Sequence, residues 1–189
     1  MRIRSVLPSD RSQLIDILSQ GAGFRSEEVA CAIELLDAAL DPSDPTQEKD
    51  AWGAGGLGPP RTTAGGSEPS QGSVNKDGYE ARVAVANDNE RVLGYACFGT
   101  TPMTEAAYDL YWLVVAEDAR GQGIGAALFA GVADELKQRG GRIIRVETSS
   151  LEGQGGARRF YEKTGFKLSG AIPDFYRQGD DLLLFAKVL

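Results

Sequence analysis

The chain has 189 residues, of which 42% are hydrophobic and 25% are charged, and its formal net charge is −7. This length can bury a sizeable core, and the acidic balance argues against nucleic acid or an anionic membrane as a partner. Histidine is absent, which excludes catalysis by Ser-His-Asp or Cys-His groups and disfavours a zinc site.

The sequence shows no pattern typical of a membrane-spanning segment, a signal peptide or a redox-active cysteine pair. No apolar run approaches 18 residues, and the opening residues, MRIRSVLPSD, have no apolar signal core. Cys31 and Cys97 lie far apart and fit no metal or redox spacing, so we interpret them as buried small residues. We therefore expect a cytoplasmic protein whose activity needs no metal.

The first part of the chain predicts a short strand over residues 2–7 and two amphipathic helices. Residues 11–20 carry apolar side chains on one helical face, and a second helix follows Ser26 with apolar residues at 3.6-residue spacing. Residues 41–78 are rich in Gly and Pro and poor in apolar residues, which predicts a flexible insertion. We expect one domain over 1–189; a lid formed by the insertion is the alternative.

The second part predicts strands that alternate with two helices. The predicted elements are a hairpin of Glu80–Ala86 and Val92–Thr100, a strand Tyr108–Val115, a helix over 124–139, a strand Arg142–Thr148, a helix over 155–164, and strands Phe166–Ile172 and Leu182–Val188. The strand Tyr108–Val115 is almost continuously apolar, as expected of a central strand.

A glycine-rich turn, ARGQGIGAALF over 119–129, lies between that central strand and the next helix. Glycine permits a positive φ and leaves no Cβ in the way, and the first N–H groups of a helix lack partners. A strand, a glycine turn and a helix in this order are typical of a phosphate site. A P-loop is excluded because Ala126 and Ala127 follow Gly125, where that motif requires Lys and Ser or Thr.

A dinucleotide-binding turn is a competing interpretation. Gly121, Gly123 and Ala126 satisfy G-x-G-x-x-G/A, and Glu147 ends the next strand as a ribose-binding acid would. Against it, five residues separate the strand from the first glycine, where a dinucleotide turn is tight. The remaining chain also ends in paired strands. A nicotinamide-dependent oxidoreductase is therefore the less favoured function.

The glycine turn also resembles the acyl-coenzyme A loop of the GCN5-related N-acetyltransferases (GNAT), which has the form Q/R-x-x-G-x-G/A. Residues 120–125 (RGQGIG) match it position for position, and residues 160–166 (FYEKTGF) resemble the end of the family's last helix. The resemblance covers most of the chain outside 41–78. It implies an α/β fold with a mixed, mostly antiparallel central sheet, flanking helices and a splayed central strand pair.

The same resemblance implies acetyl-CoA as co-substrate. Backbone groups of the central strand would pair with the pantetheine arm, and the turn amides would hold the pyrophosphate with help from an arginine. The implied binding residues are Leu113, Val114, Val115, Arg120, Gly121, Gln122, Gly123, Ile124, Gly125 and Ala126.

For catalysis, the resemblance implies Tyr161 as the general acid that protonates the leaving thiolate. Glu147 and Asp109 are the candidate general bases, although Glu147 lies two residues farther from the tyrosine than in the ribosomal-protein acetyltransferases. A water chain without a dedicated base is the alternative. Residues 174–181, expected to form a loop, would border the acceptor site.

The implied reaction is direct transfer of an acetyl group to a primary amine in a ternary complex. The acceptor is expected to be a small-molecule or peptide amine, with neither nucleic acid nor a membrane as partner, and a homodimer is left open. A non-catalytic acyl-CoA-binding module is the second alternative function.

Overall fold

The computed structural model describes residues 1–20, 24–40, 78–151 and 155–189. Its strands are β1 Arg2–Ser5, β2 Tyr79–Val85, β3 Val92–Thr100, β4 Ala107–Val115, β5 Ile143–Ser149, β6 Lys167–Arg177 and β7 Asp180–Val188. Its α-helices are α1 Arg11–Gln20, α2 Ser26–Leu40, α3 Ile124–Gln138 and α4 Gly155–Lys163. The order is the predicted one. Apart from Gly78, the predicted insertion at 41–78 lies outside the described residues.

The seven strands of the described chain form one sheet in the order β1-β2-β3-β4-β5-β7-β6. Within these residues, β4 and β5 form the one parallel pair, and every other neighbouring pair is antiparallel. The prediction of a mixed, mostly antiparallel sheet with flanking helices is therefore confirmed. A dinucleotide-binding fold would instead need a largely parallel sheet.

Helices cover the sheet on both faces. Leu14 and Leu18 of α1 pack with Leu36 of α2 against β2, β3 and β4, and all three leucines are fully buried. On the other face, Phe129 and Leu136 of α3 pack against β3, β4, β5 and β7. Each buried leucine contributes about 1.5–3 kcal/mol relative to an exposed one. None of the helices in the described ranges is long and apolar enough to cross a membrane.

The last hairpin differs from the prediction. We expected β6 to end at Ile172 and residues 174–181 to form a loop, but β6 continues to Arg177 and pairs there with Asp180. Pro173 favours a break, yet β6 is at the edge of the sheet, where a missing N–H is tolerated. Only Gln178 and Gly179 form the turn, and Gly179 has a φ of +79°.

Candidate active site

The glycine turn follows β4 and leads directly into α3. Gly121 has a φ of +76°, and Gly123, which caps the N-terminus of α3, has a φ of +80°. A residue with a Cβ would be strained in this left-handed region by about 1–2 kcal/mol. A Cβ built on either glycine would meet nothing within 4 Å. Backbone conformation therefore requires glycine here, and the space beside the turn is open.

The first amides of α3 follow directly after Gly123. The first hydrogen bond of the helix runs from the Ala127 N–H to the Gly123 carbonyl at 3.0 Å. The N–H groups of Ile124, Gly125 and Ala126 precede it and have no carbonyl partner within the helix. Together with the positive end of the helix dipole, these donors form a site suited to an anion.

Gly125, the third glycine, lies in a close packing contact. A Cβ at this position would stand 3.4 Å from Phe160 Cε2 and 3.4 Å from Val115 Cγ2. Helix α4 therefore lies directly against the start of α3 and the end of β4. Phe160 thus connects α4, which also carries Tyr161, to the start of α3.

The two polar side chains of the turn bond to nearby backbone. Arg120 is exposed, and its Nε donates to the Val115 carbonyl at 3.2 Å. The amide nitrogen of Gln122 donates to the Asp118 carbonyl at 3.2 Å. The Arg120 bond ties the turn to the end of β4, and the Gln122 bond ties it to the short segment that follows β4.

Beyond the first residues of β4, the sheet opens. The parallel ladder joins only Ala107, Tyr108 and Asp109 to residues 143–145, whereas β5 stays paired with β7 as far as Ser149. A bulge in β4, at the register shift opposite Cys97 and Phe98, accompanies this separation. Leu113, Val114 and Val115 lie beyond the ladder and pair only with β3 among the described strands, which leaves a cleft between β4 and β5.

Tyr161 lies in the aromatic part of the core behind this cleft. It is 8% exposed and contacts three phenylalanines, with ring centroids 5.6 Å from Phe160, 5.4 Å from Phe166 and 5.9 Å from Phe185. Burial raises the pKa of its hydroxyl to about 12. Tyr161 is thus a phenol that keeps its proton at every physiological pH.

The two predicted carboxylates are brought together by an arginine that we did not single out from the sequence. Asp109 is buried and accepts a hydrogen bond from Nε of Arg145, its register partner on β5. The Arg145 Nη1 lies 3.5 Å from the Glu147 Oε1, and the Glu147 side chain is 47% exposed. Glu147 is therefore accessible to solvent, whereas Asp109 is enclosed.

The end of β5 is also joined to the start of β7. The Ser149 hydroxyl donates to Asp180, and the Asp181 N–H donates to the Ser150 Oγ at 2.8 Å. Asp180 is 5% exposed, although we had predicted a solvent-facing turn there. Its burial could not be recognised from the sequence because it depends on β6 extending to Arg177.

Tyr176, at the end of β6, lies close to this group of acids. Partial burial raises the pKa of its hydroxyl, and the charges of Glu147, Asp180 and Glu28 raise it further. Charges on α2, β5 and the last hairpin thus act on the hydroxyl of Tyr176. Residues 102–105 lie before β4 begins, at the other end of that strand from the glycine turn.

No group of three or more His, Cys, Asp or Glu side chains that could hold a metal ion occurs within residues 1–20, 24–40, 78–151 and 155–189.

Comparisons with known proteins agree on one family. Residues 79–168 match the family model of an acetyltransferase (GNAT) domain. Probable N-acetyltransferase camello of Xenopus laevis is 39% identical over 94 residues, which span 48% of this chain and only 41% of that relative. A Desulfovibrio desulfuricans protein assigned to the GNAT family is 31% identical, with a TM-score of 0.75 and coverage of 99% of this chain and 98% of that one.

A more distant solved structure shares the fold. An aminoglycoside 6'-N-acetyltransferase complexed with coenzyme A is 19% identical and has a TM-score of 0.63. The similarity covers 100% of this chain and 97% of that chain. At this level of identity the likeness concerns the architecture alone.

Proposed function

The chain belongs to the GNAT family of acetyltransferases, and we propose that it transfers an acetyl group from acetyl-CoA to a primary amine within a ternary complex. The observation that carries the proposal is the set of free amides at the N-terminus of α3, next to the cleft between β4 and β5. An anion-binding turn beside an open strand pair suits a ligand with a pyrophosphate and an extended arm.

The residues of the turn fit coenzyme A. The open space beside Gly121 and Gly123 lets a phosphate approach the backbone, and amides from Gln122 to Ala126 supply donors. Arg120 would add a charge-assisted contact. Backbone groups of residues 113–115 would pair with the pantetheine arm. The related fold that is complexed with coenzyme A supports this assignment.

Three protein groups would carry the chemistry of transfer. Glu147 accepts a proton from the amine, whose nitrogen then attacks the thioester carbonyl carbon. A backbone N–H among residues 113–115 stabilises the oxyanion of the tetrahedral intermediate. When the carbon–sulfur bond breaks, its electron pair goes to sulfur and Tyr161 donates a proton to it. The nitrogen, still positively charged after the attack, releases its second proton through solvent, and the tyrosinate regains a proton. The products are the acetylated amine and free coenzyme A.

The protonation of Tyr161 supports its assignment as the acid. With a pKa of about 12, the phenol holds its proton at neutral pH and is therefore present in the protonated form that a general acid requires. The exposure of Glu147 supports its assignment as the general base, since an acceptor can reach a side chain that is 47% exposed. Asp109 is enclosed by Arg145 and is the weaker candidate for the base.

The acceptor in this proposal is a small-molecule or peptide amine. Such an amine is a cation at neutral pH, and the carboxylate of Glu147 is 47% exposed and lies close enough to Tyr176 to raise the pKa of its hydroxyl. Negative charges around this surface favour the approach of a cation. The names of similar folds include an aminoglycoside acetyltransferase and a ribosomal-protein alanine acetyltransferase, so both acceptor types belong in a test panel.

The test is a transfer assay with acetyl-CoA and a panel of polyamines, aminoglycosides and peptides with a free N-terminus. With at least one amine, we expect free coenzyme A thiol to be released. That amine should gain about 42 Da by mass spectrometry, which is the mass added when one acetyl group replaces a hydrogen. Double-reciprocal plots of the initial rate against acetyl-CoA, at several fixed amine concentrations, should give lines that intersect, as expected for a ternary complex. Parallel lines would instead indicate an acyl-enzyme and would contradict direct attack.

A binding assay separates the alternative functions. Acetyl-CoA should stabilise the protein against unfolding by about 2.7 kcal/mol at a hundredfold excess over its Kd. Stabilisation by NADH alone would instead support the oxidoreductase. Stabilisation by acetyl-CoA without acetylation of any amine in the panel would support a non-catalytic binding module.

A further inference from the structure

Arg145 joins the two strands at the point where they separate. Its register partner on β4 is Asp109, and this pair is the last in the parallel ladder. Nε of Arg145 donates to Asp109, and Nη1 of the same guanidinium lies 3.5 Å from the Glu147 Oε1. One side chain on β5 thus contacts a carboxylate of β4 and a carboxylate of its own strand.

The two carboxylates differ in exposure, which gives them different roles in this contact. The Asp109 side chain is 10% exposed and fixed in the core of the sheet, whereas the Glu147 side chain is 47% exposed. Within the described residues, Arg145 is the only ion-pair partner of Glu147. Asp109 can therefore anchor the arginine, and the arginine can restrain a side chain that would otherwise turn freely.

Arginine is suited to this double contact. The planar guanidinium presents five N–H donors in fixed directions, so Nε can bind one carboxylate while Nη1 faces another. Lysine has a single nitrogen at the end of a flexible stem and cannot reproduce this geometry. Replacement of Arg145 by Lys therefore keeps the positive charge beside Asp109 but removes the restraint on Glu147.

We propose that Arg145 is a positioning residue that uses Asp109 as an anchor to hold Glu147 in place as the general base. The inference depends on the proposed function, because it assigns Arg145 a task only if Glu147 accepts the proton of the amine. Displacement of a reacting group by about 1 Å can cost about 100-fold in rate. A restraint at Glu147 therefore affects turnover without contributing to the binding of coenzyme A.

The test is a double-mutant cycle of kcat at saturating acetyl-CoA, with Arg145→Gln, Glu147→Gln and the double variant. We expect Glu147→Gln to lower kcat about 100-fold and Arg145→Gln to lower it about tenfold. In the Glu147→Gln background, Arg145→Gln should change kcat by less than about twofold, since the group that it positions is gone. The KM for acetyl-CoA should stay within about twofold throughout.

Two further variants separate positioning from a structural role. Arg145→Lys leaves Asp109 paired with a cation and should fold, yet lose about fivefold in kcat. Arg142→Gln is the control, because Arg142 precedes β5 and pairs at 3.4 Å with Glu105, which is 91% exposed. It should leave kcat unchanged, since this exposed ion pair contacts neither Glu147 nor Asp109.

The outcomes distinguish this inference from the proposed function. If the losses of Arg145→Gln and Glu147→Gln multiply, or if Arg145→Lys is fully active, Arg145 does not act through Glu147 and the inference is wrong. Full activity of Glu147→Gln would overturn the inference as well, while persistent acetyl transfer would leave the proposed reaction intact. Only failure of the unmodified protein to acetylate any amine would overturn both.

Discussion

The ring of Phe160 on α4 lies against Gly125 on α3, where a Cβ would stand 3.4 Å from the Phe160 Cε2. The same Cβ would stand 3.4 Å from the Val115 Cγ2, so three elements meet at this glycine. The contact couples the turn that is proposed to bind pyrophosphate to the helix that carries the proposed acid. The size of the side chain at position 125 therefore sets how closely the two helices approach.

Substitution of Gly125 should show this size limit directly. Gly125→Ala places one methyl group at ordinary contact distance and gains up to about 1 kcal/mol of helix propensity, so stability and the KM for acetyl-CoA should change little. Gly125→Val adds two methyl groups against Phe160 and Val115 and should cost about 1–3 kcal/mol through overpacking. Thermal unfolding measures the change in stability, and acetyl-CoA titrations measure the change in KM. If Gly125→Val were as stable as Gly125→Ala, the packing role of Gly125 would be contradicted.

Gly123→Ala should separate backbone strain from ligand binding. Gly123 has a φ of +80°, so alanine should cost about 1–2 kcal/mol of stability and shift the amides at the start of α3. The affinity for acetyl-CoA should fall by about tenfold or more, since each lost hydrogen bond to a charged group is worth about 1.5–3 kcal/mol. Urea unfolding and calorimetric titration measure the two quantities.

Gly140→Ala is the matched control for this variant. Gly140 has a φ of +84°, and a Cβ there would also meet nothing within 4 Å, but the residue lies just after the other end of α3. We expect a similar loss of stability and no loss of affinity. If both variants weaken acetyl-CoA binding equally, the glycine turn is not the binding site.

The element order and the glycine turn could be predicted because both depend on local sequence. Hydrophobic spacing indicated each helix within a few residues, and the turn has a strand before it and a helix after it. The ion pair between Asp109 and Arg145 could not be predicted. It depends on the register of two strands that are 36 positions apart at this pair, and no local pattern fixes that register.

The length of β6 was missed for a related reason. Pro173 is unfavourable in a central strand, and only the position of β6 at the sheet edge makes it acceptable. The extension to Arg177 then brings Asp180 into a buried position beside Ser149. The residues of the turn, the cleft and Tyr161 could therefore be proposed from the glycine motif and the FYEKTGF segment alone. The surroundings of the carboxylates could be described only from the tertiary structure.

The raised pKa of Tyr161 predicts a pH-dependent loss of stability. Tyrosine in the unfolded chain titrates near pH 10, whereas burial raises the pKa of Tyr161 to about 12 in the folded protein. The folded state therefore binds more protons between these values, so this contribution to stability is complete below pH 10 and is lost as pH rises toward 12. Tyr161→Phe lacks the titrating hydroxyl and should not show this loss.

The difference between the two proteins is the quantity to measure. From pH 9 to pH 11, the free energy of unfolding of the wild type should fall relative to Tyr161→Phe by about 1.3 kcal/mol. Urea denaturation at both pH values gives this difference, and contributions from other titrating groups cancel. A difference that stays constant would mean that the hydroxyl of Tyr161 is hydrated in the folded state. At neutral pH, the same variant should lower kcat by about 100-fold if Tyr161 is the acid.

Lys187 on β7 secures the end of α4 that follows Tyr161. Its Nζ donates to the Thr164 carbonyl at 2.8 Å and lies 4.8 Å from the ring centroid of Phe129. A cation at this end of a helix also interacts favourably with the helix dipole. Lys187→Met keeps most of the apolar stem and removes the charge, so we expect a loss of about 2 kcal/mol from the hydrogen bond and the cation–π contact.

Lys187→Met should lower the stability of the end of α4 as well as the stability of the whole protein. Amide hydrogen exchange at the end of α4, around Thr164, should accelerate in Lys187→Met more than exchange in α3, because the lost contacts hold the end of that helix. Lys163→Met is the control, since Lys163 is exposed in the same turn and should cost less than about 0.5 kcal/mol. If α4 frays, kcat should fall while the KM for acetyl-CoA stays near the wild-type value, because Tyr161 moves and the glycine turn does not. Equal exchange rates in the wild type and Lys187→Met would show that α4 is held by its aromatic contacts alone.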